Sequence, residues 1–179
     1  MEWINEPGQW SAAGGVLTVT ADAGSDFWRT THYGFVRDNG HVYGREVDGD
    51  FDLSVRVRGA YADQYDQAGA MVRVDKEHWL KTGIEFVDGR IRFSTVVTLA
   101  YSSWAVADLP PSIGVLGLQL ARRKDAVEVR YSIDGGAAEL AAIAYLPPGK
   151  PAFAGALCAA PDGAGFEASF FDLTITPIA

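Results

Sequence analysis

The chain has 179 residues, enough for one well-buried core and short for two, so a single domain over residues 1–179 is expected. Hydrophobic residues at 48% and charged residues at 21% exclude a disordered chain, and a net charge of −8 without any Lys/Arg cluster excludes a phosphate backbone as the natural partner. No apolar run approaches the ~20 residues that cross a bilayer, and Met1-Glu2-Trp3-Ile4-Asn5 lacks the basic-then-apolar order of a leader, so a cytoplasmic protein without membrane contact is expected.

In chain order, strands are expected at Val16 to Thr20 and Asp26 to Thr30, followed by the tight-turn dipeptides Asn39-Gly40 and Asp48-Gly49. Phe51, Leu53, Val55 and Val57 then alternate with Asp52, Ser54, Arg56 and Arg58, the period of a half-buried strand. In the next strand, Ala68 to Val74, the positions Ala68, Ala70, Val72 and Val74 mark the core face and leave Gln67, Gly69, Met71 and Arg73 opposite. A short polar link, Asp75-Lys76-Glu77, leads into Trp79 to Phe86. There Leu80, Ile84 and Phe86 share one face, and Trp79, Lys81 and Glu85 share the other.

Asp88-Gly89 turns the chain into a strand where Ile91, Phe93 and Val97 alternate with Arg92, Ser94 and Thr98. Ser103 to Ala107 and Val115 to Leu120 follow, then Val127, Val129, Tyr131 and Ile133 in alternation, closed by Asp134-Gly135. The alanines of Ala137 to Tyr145 suit a short helix or a hairpin's second strand equally. Ala152 to Ala159 is an apolar run whose lone Cys158 has no internal disulfide partner and belongs to the core, and Phe166 to Thr176 is the last strand. About a dozen short strands separated by turn dipeptides define an all-β chain, an antiparallel β-sandwich in preference to a barrel.

Of the faces this pattern leaves outside the core, the one shared by Gln67, Arg73, Trp79, Lys81 and Glu85 is unusual, because a tryptophan spends apolar area there. Gly69 and Gly83 leave space on it, and aromatic, amide and charged groups together suit a sugar whose apolar face stacks while its hydroxyls are hydrogen-bonded. The plain alternative is a cross-strand lattice of ion pairs. Asp26 and Trp28 in Ser25-Asp26-Phe27-Trp28, and Trp104 after Ser102-Ser103, are candidates for the rim of the same surface. A glycosidase needs two carboxyl groups ~5 Å apart or somewhat wider. Glu85 and Asp88 are offset by three, which puts them on opposite faces of a regular strand, so any partner of Glu85 is distant in sequence, such as Asp26 or Asp66. His32, His41 and His78 lack the spacing of a zinc site, and no metal or other cofactor is expected.

Asp26-Phe27-Trp28, Tyr65-Asp66-Gln67-Ala68-Gly69, Trp79-Leu80-Lys81-Thr82-Gly83-Ile84-Glu85, Val96-Val97-Thr98, Ser103-Trp104 and Tyr131-Ser132-Ile133-Asp134-Gly135 resemble, in order, the hallmark segments of domain-of-unknown-function family 1349. That family includes the fungal regulation-of-enolase protein. The resemblance covers nearly the whole chain and implies a concanavalin A-like jelly roll of the lectin/glucanase superfamily, whose members often bind carbohydrate in the concavity of one sheet. The chain departs from the family at Ser102-Ser103-Trp104, where Ser-Asp-Trp is expected, and at Glu139 to Tyr145, where relatives tend to carry an arginine. The superfamily glucanases' acid/base motif is also missing.

The expectation is therefore a saccharide or sugar-metabolite pocket on one sheet face, formed by Asp26, Trp28, Asp66, Gln67, Arg73, Trp79, Lys81, Glu85 and Trp104, with Trp79 as the stacking platform. Two alternatives stand beside it. One is a carbohydrate-active enzyme, glycoside hydrolase-like, using Glu85 as acid or base; the other is a regulatory protein that docks on a metabolic enzyme.

Overall fold

The computed structural model describes residues 1–178 and contains, among them, sixteen strands and no helix. In chain order these are β1 (Glu2–Ile4), β2 (Gln9–Ala13), β3 (Val16–Ala21), β4 (Phe27–Arg29), β5 (Val36–Asp38), β6 (His41–Val47), β7 (Asp50–Gly59) and β8 (Gln67–Arg73). The second half supplies β9 (His78–Val87), β10 (Arg90–Leu99), β11 (Tyr101–Asp108), β12 (Leu116–Arg123), β13 (Ala126–Ile133), β14 (Glu139–Tyr145), β15 (Ala152–Ala159) and β16 (Phe166–Ile178). They form two antiparallel seven-stranded sheets, ordered β1-β6-β15-β8-β9-β10-β11 and β14-β13-β12-β7-β16-β3-β2, and one separate hairpin, β4-β5.

The alternation seen in the sequence decides which residues the two sheets turn toward each other. Ala68, Ala70, Val72, Leu80, Ile84 and Phe93 of the first sheet meet Val19, Leu53, Val55, Val57, Leu118, Leu120 and Phe170 of the second in one continuous core. Cys158 lies within it, and burial pushes its thiol well above the ordinary range, as suits an inert core residue.

Turn chemistry proves a weaker guide to partnership than to turning. Asp88-Gly89 and Asp134-Gly135 close the β9-β10 and β13-β14 hairpins, and all four residues have positive φ, as type I′ turns demand. Asp48-Gly49, of the same chemistry, instead carries the chain from β6 in one sheet to β7 in the other, and Asn39-Gly40 leads from the separate hairpin into β6. The alanine-rich segment is the edge strand β14 rather than a helix, paired to β13 with a bulge between Val129 and Arg130.

The outer face of the first sheet carries four successive cross-strand rows. Arg73, Trp79 and Thr98 form one; Met71, Lys81, Val96 and Trp104 the next; then Gly69, Gly83 and Ser94; then Gln67, Glu85 and Arg92.

Candidate functional site

The hairpin β4-β5 lies across that outer face. Its strands are three residues each, too short to persist alone, so it is held by what it buries and by its clamps. Phe27 and Trp28 pack with Val42, Met71, Trp79, Val96 and Leu157 into a second hydrophobic cluster, separate from the main core. The Asp26 amide donates to Asn39 Oδ1 at 3.0 Å, and the Arg29 amide donates to Ser102 Oγ at 2.9 Å. The Arg29 guanidinium reaches the Ala100 carbonyl at 3.1 Å and Glu77 at 2.7 Å, while Arg73 grips both carboxylate oxygens of Asp38.

The structure corrects three expectations, two of them through this covering layer. Trp79 is no stacking platform: only 1% of it is exposed, because Phe27 closes over it edge to face at 6.1 Å between ring centroids. Arg73 is a clamp on the hairpin, buried between Asp38 and the Phe27 ring rather than offered to a ligand. Asp66 is fully buried, and its Oδ2 accepts the amides of Ala62 and Asp63 at 3.0 and 2.9 Å, a local turn that sets the neighbouring Tyr65.

Alongside the cluster a cavity of about 160 Å³ opens, and six of the nine expected residues line it: Asp26, Trp28, Gln67, Lys81, Glu85 and Trp104. Its bottom is polar and buried. Lys81 Nζ donates to Asp26 Oδ1 at 3.1 Å and to the Phe27 carbonyl at 2.7 Å; the Phe27 amide donates to the same Oδ1 at 2.7 Å, with Gln67 Nε2 at 3.5 Å. Gly83, between Lys81 and Glu85 on β9, adds no side chain to part them; a Cβ there would strike the Ala68 carbonyl on β8. Glu85 Oε2 accepts the Trp104 indole N–H at 2.9 Å, and that N–H also reaches Ser94 Oγ at 3.0 Å.

The walls are aromatic, and strand alternation does not reveal most of them. Tyr33 and Phe35 stand in the loop joining β4 to β5, their rings stacked at 5.5 Å, and Trp28 meets Tyr33 edge to face at 5.6 Å. Tyr65 precedes β8 and faces Trp104 at 6.1 Å, and the Tyr33 and Tyr65 hydroxyls lie 3.3 Å apart, so the two walls touch. That hydroxyl contact, with burial, pushes the Tyr33 phenol up to about 12. Arg37, stacked 4.6 Å over Phe35, and Asp162 complete the rim. The signal for these residues lay in Thr31-His32-Tyr33-Gly34-Phe35, aromatics in a glycine-containing turn between two short strands.

Burial pushes the Glu85 carboxyl above its ordinary value of 4.5; Lys81 and the Trp104 N–H oppose the shift and Asp26 adds to it. Between the ordinary and the raised value the folded chain therefore holds more protons than the unfolded chain, and Glu85's contribution to stability falls as pH rises through that window. Glu85→Gln, which never ionises, is expected to have a higher unfolding midpoint than the parent at neutral pH. Thermal unfolding from about pH 4 to pH 8 should show that advantage shrinking toward zero at the acid end.

As a catalytic acid or base, Glu85 needs a partner across the cavity. Asp26 is the carboxylate that shares the polar floor, but its Oδ1 is already committed to Lys81 and the Phe27 amide. Asp88 sits in the β9-β10 turn, bonded to Gln64. Among the described residues no group of three or more His, Cys, Asp or Glu is disposed to hold a metal ion.

The chain is 36% identical over 174 residues to Regulation of enolase protein 1 of Saccharomyces cerevisiae, covering 97% of this chain and 88% of that one. A crystal structure of a functionally unknown protein from Saccharomyces cerevisiae superposes with a TM-score of 0.93 at 35% identity, over 99% of this chain and 97% of the other. At 16% identity, a mutant of the GH43 protein BlXynB from Bacillus licheniformis matches 97% of this chain but 36% of its own, with a TM-score of 0.75. The carbohydrate binding module CBM66 from Bacillus subtilis matches 98% of this chain and 95% of its own at 13% identity, with a TM-score of 0.62. The last two likenesses establish a shared jelly-roll β-sandwich. Residues 3–178 match the family described as "Protein of unknown function (DUF1349)", and with the yeast relative's identity over nearly its full length, the chain belongs to that family.

Proposed function

We propose that the chain binds a small saccharide or sugar-derived metabolite in the cavity on the outer face of the first sheet. The observation that carries this reading is the pairing of aromatic walls with a buried, hydrogen-bonded polar floor: Trp104 and Tyr33 are partly exposed at the mouth, while Gln67, Lys81 and Glu85 lie almost fully buried at the bottom. A ring that presents an apolar face and a hydroxylated edge matches that gradient. At about 160 Å³ the cavity falls below the ~300–1,000 Å³ typical of drug-sized ligands, which favours one sugar ring over an oligosaccharide.

Two comparisons lend support: one structural neighbour is a carbohydrate binding module, and another is a GH43 protein. The yeast relative's name adds a regulatory setting, in which occupancy of this cavity would be the signal. Trp104→Ala removes a wall and one hydrogen bond to Glu85 without touching either hydrophobic core. Calorimetric titration of a panel of monosaccharides is expected to give binding that weakens about tenfold or more in this variant, with unfolding cooperativity unchanged. Equal affinity in the two proteins would remove Trp104, and with it this cavity, from the reading.

A further inference from the structure

The hydrogen-bonding capacity left over in the cavity says which saccharides it takes, an inference that rests on the saccharide reading above. Asp26 spends Oδ1 on Lys81 and the Phe27 amide, and Glu85 spends Oε2 on Trp104. Among the described residues Asp26 Oδ2 and Glu85 Oε1 accept nothing, and neither is sealed from solvent. On the buried floor the cation is largely committed. Lys81 uses two of its three N–H groups on Asp26 and Phe27, while Arg37 stands at the rim, stacked on Phe35 and donating one of its five N–H groups to the Pro161 carbonyl at 3.3 Å.

Charge points the same way. With Glu85 protonated, Asp26 and Asp162 balance Lys81 and Arg37 in the lining; with Glu85 ionised, the lining carries one surplus negative charge. Neither state offers surplus positive charge to an anion, and the chain as a whole is at −8.

We infer that the cavity selects an unphosphorylated, uncarboxylated sugar whose hydroxyls donate to the free oxygens of Asp26 and Glu85, and that it rejects the phosphorylated and carboxylated forms of the same sugar. Rejection follows from burying an anion against unpaired carboxylate oxygens, a penalty that desolvation enlarges.

The test uses the full chain and matched probes at pH 7: D-glucose, D-glucose 6-phosphate and D-glucuronate, with D-xylose and D-galactose as further neutral rings, followed by ligand-observed NMR and calorimetry. The expected result is binding by at least one neutral sugar, at least tenfold tighter than by either anion. An anion binding as tightly as the best neutral sugar would overturn this selection while leaving saccharide binding in place. Absence of binding by every probe would overturn the saccharide reading itself.

Discussion

Replacing Trp79 by Ala is expected to destabilise the fold by about 3–5 kcal/mol, the range for emptying a fully buried large aromatic site. Trp79 is 1% exposed and packs with Phe27, Trp28, Met71, Val42, Val96 and Leu157 between the first sheet and the hairpin β4-β5. Because that hairpin has only three-residue strands, the apolar cluster beneath it is the larger part of what holds it down. Losing the indole therefore frees the segment that carries Asp26, Trp28, Tyr33 and Phe35 to the cavity, and ligand affinity should fall although Trp79 lines none of it. Urea unfolding measures the first effect and sugar titration the second. Trp79→Phe separates packing from contact, since a smaller ring still fills most of the site: it should recover most of the stability and most of the binding. A Trp79→Ala protein that unfolds like the parent yet binds no sugar would mean that Trp79 touches ligand and that the hairpin does not cover it in solution.

The fate of Trp79 shows where sequence reasoning reached and where it stopped. Period-two alternation placed Trp79, Lys81 and Glu85 on one face with Gln67 and Arg73, and the register confirms that shared face row by row. What alternation within a strand cannot show is whether another segment covers the face. Here the cover is Phe27 and Trp28, far upstream, and the visible hint was two adjacent aromatics in a strand too short to have an inside and an outside of its own. Asp66 misled for a related reason: a carboxylate beside a candidate strand is as well suited to closing its own turn as to meeting a ligand. Strands β1, β2, β5 and β6 escaped because the three residues of β1 and β5 hold no period, β2 is exposed along its length, and β6 is buried at neighbouring positions such as His41 and Val42, which blurs any alternation. The order of the sheets was equally hidden, since Asp48-Gly49 and Asp88-Gly89 share their chemistry while one bridges two sheets and the other closes a hairpin.

Lys81→Met is expected to cost about 3–5 kcal/mol, although it keeps most of the apolar stem, because it leaves the Asp26 carboxylate buried without its cation. Both side chains are nearly enclosed, at 6% and 10% exposure, so water does not screen the loss as it would at the surface. The damage extends beyond the pair. Asp26 Oδ1 also receives the Phe27 amide, and Lys81 Nζ donates to the Phe27 carbonyl, so the two side chains together fix the residue that begins β4 and caps Trp79. Asp26→Asn alone should be costly too, since it leaves Lys81 as the unpaired buried charge. The decisive protein is the double variant, in which neither charge is present: it should be markedly more stable than the sum of the single losses predicts, with a coupling of about 2 kcal/mol or more by urea unfolding. Additive losses would show that the two residues act independently. If the coupling appears but sugar binding stays absent in the stable double variant, the pair is needed in the cavity for what it offers the ligand as well as for holding the hairpin, which joins the polar floor and the covering layer in one device.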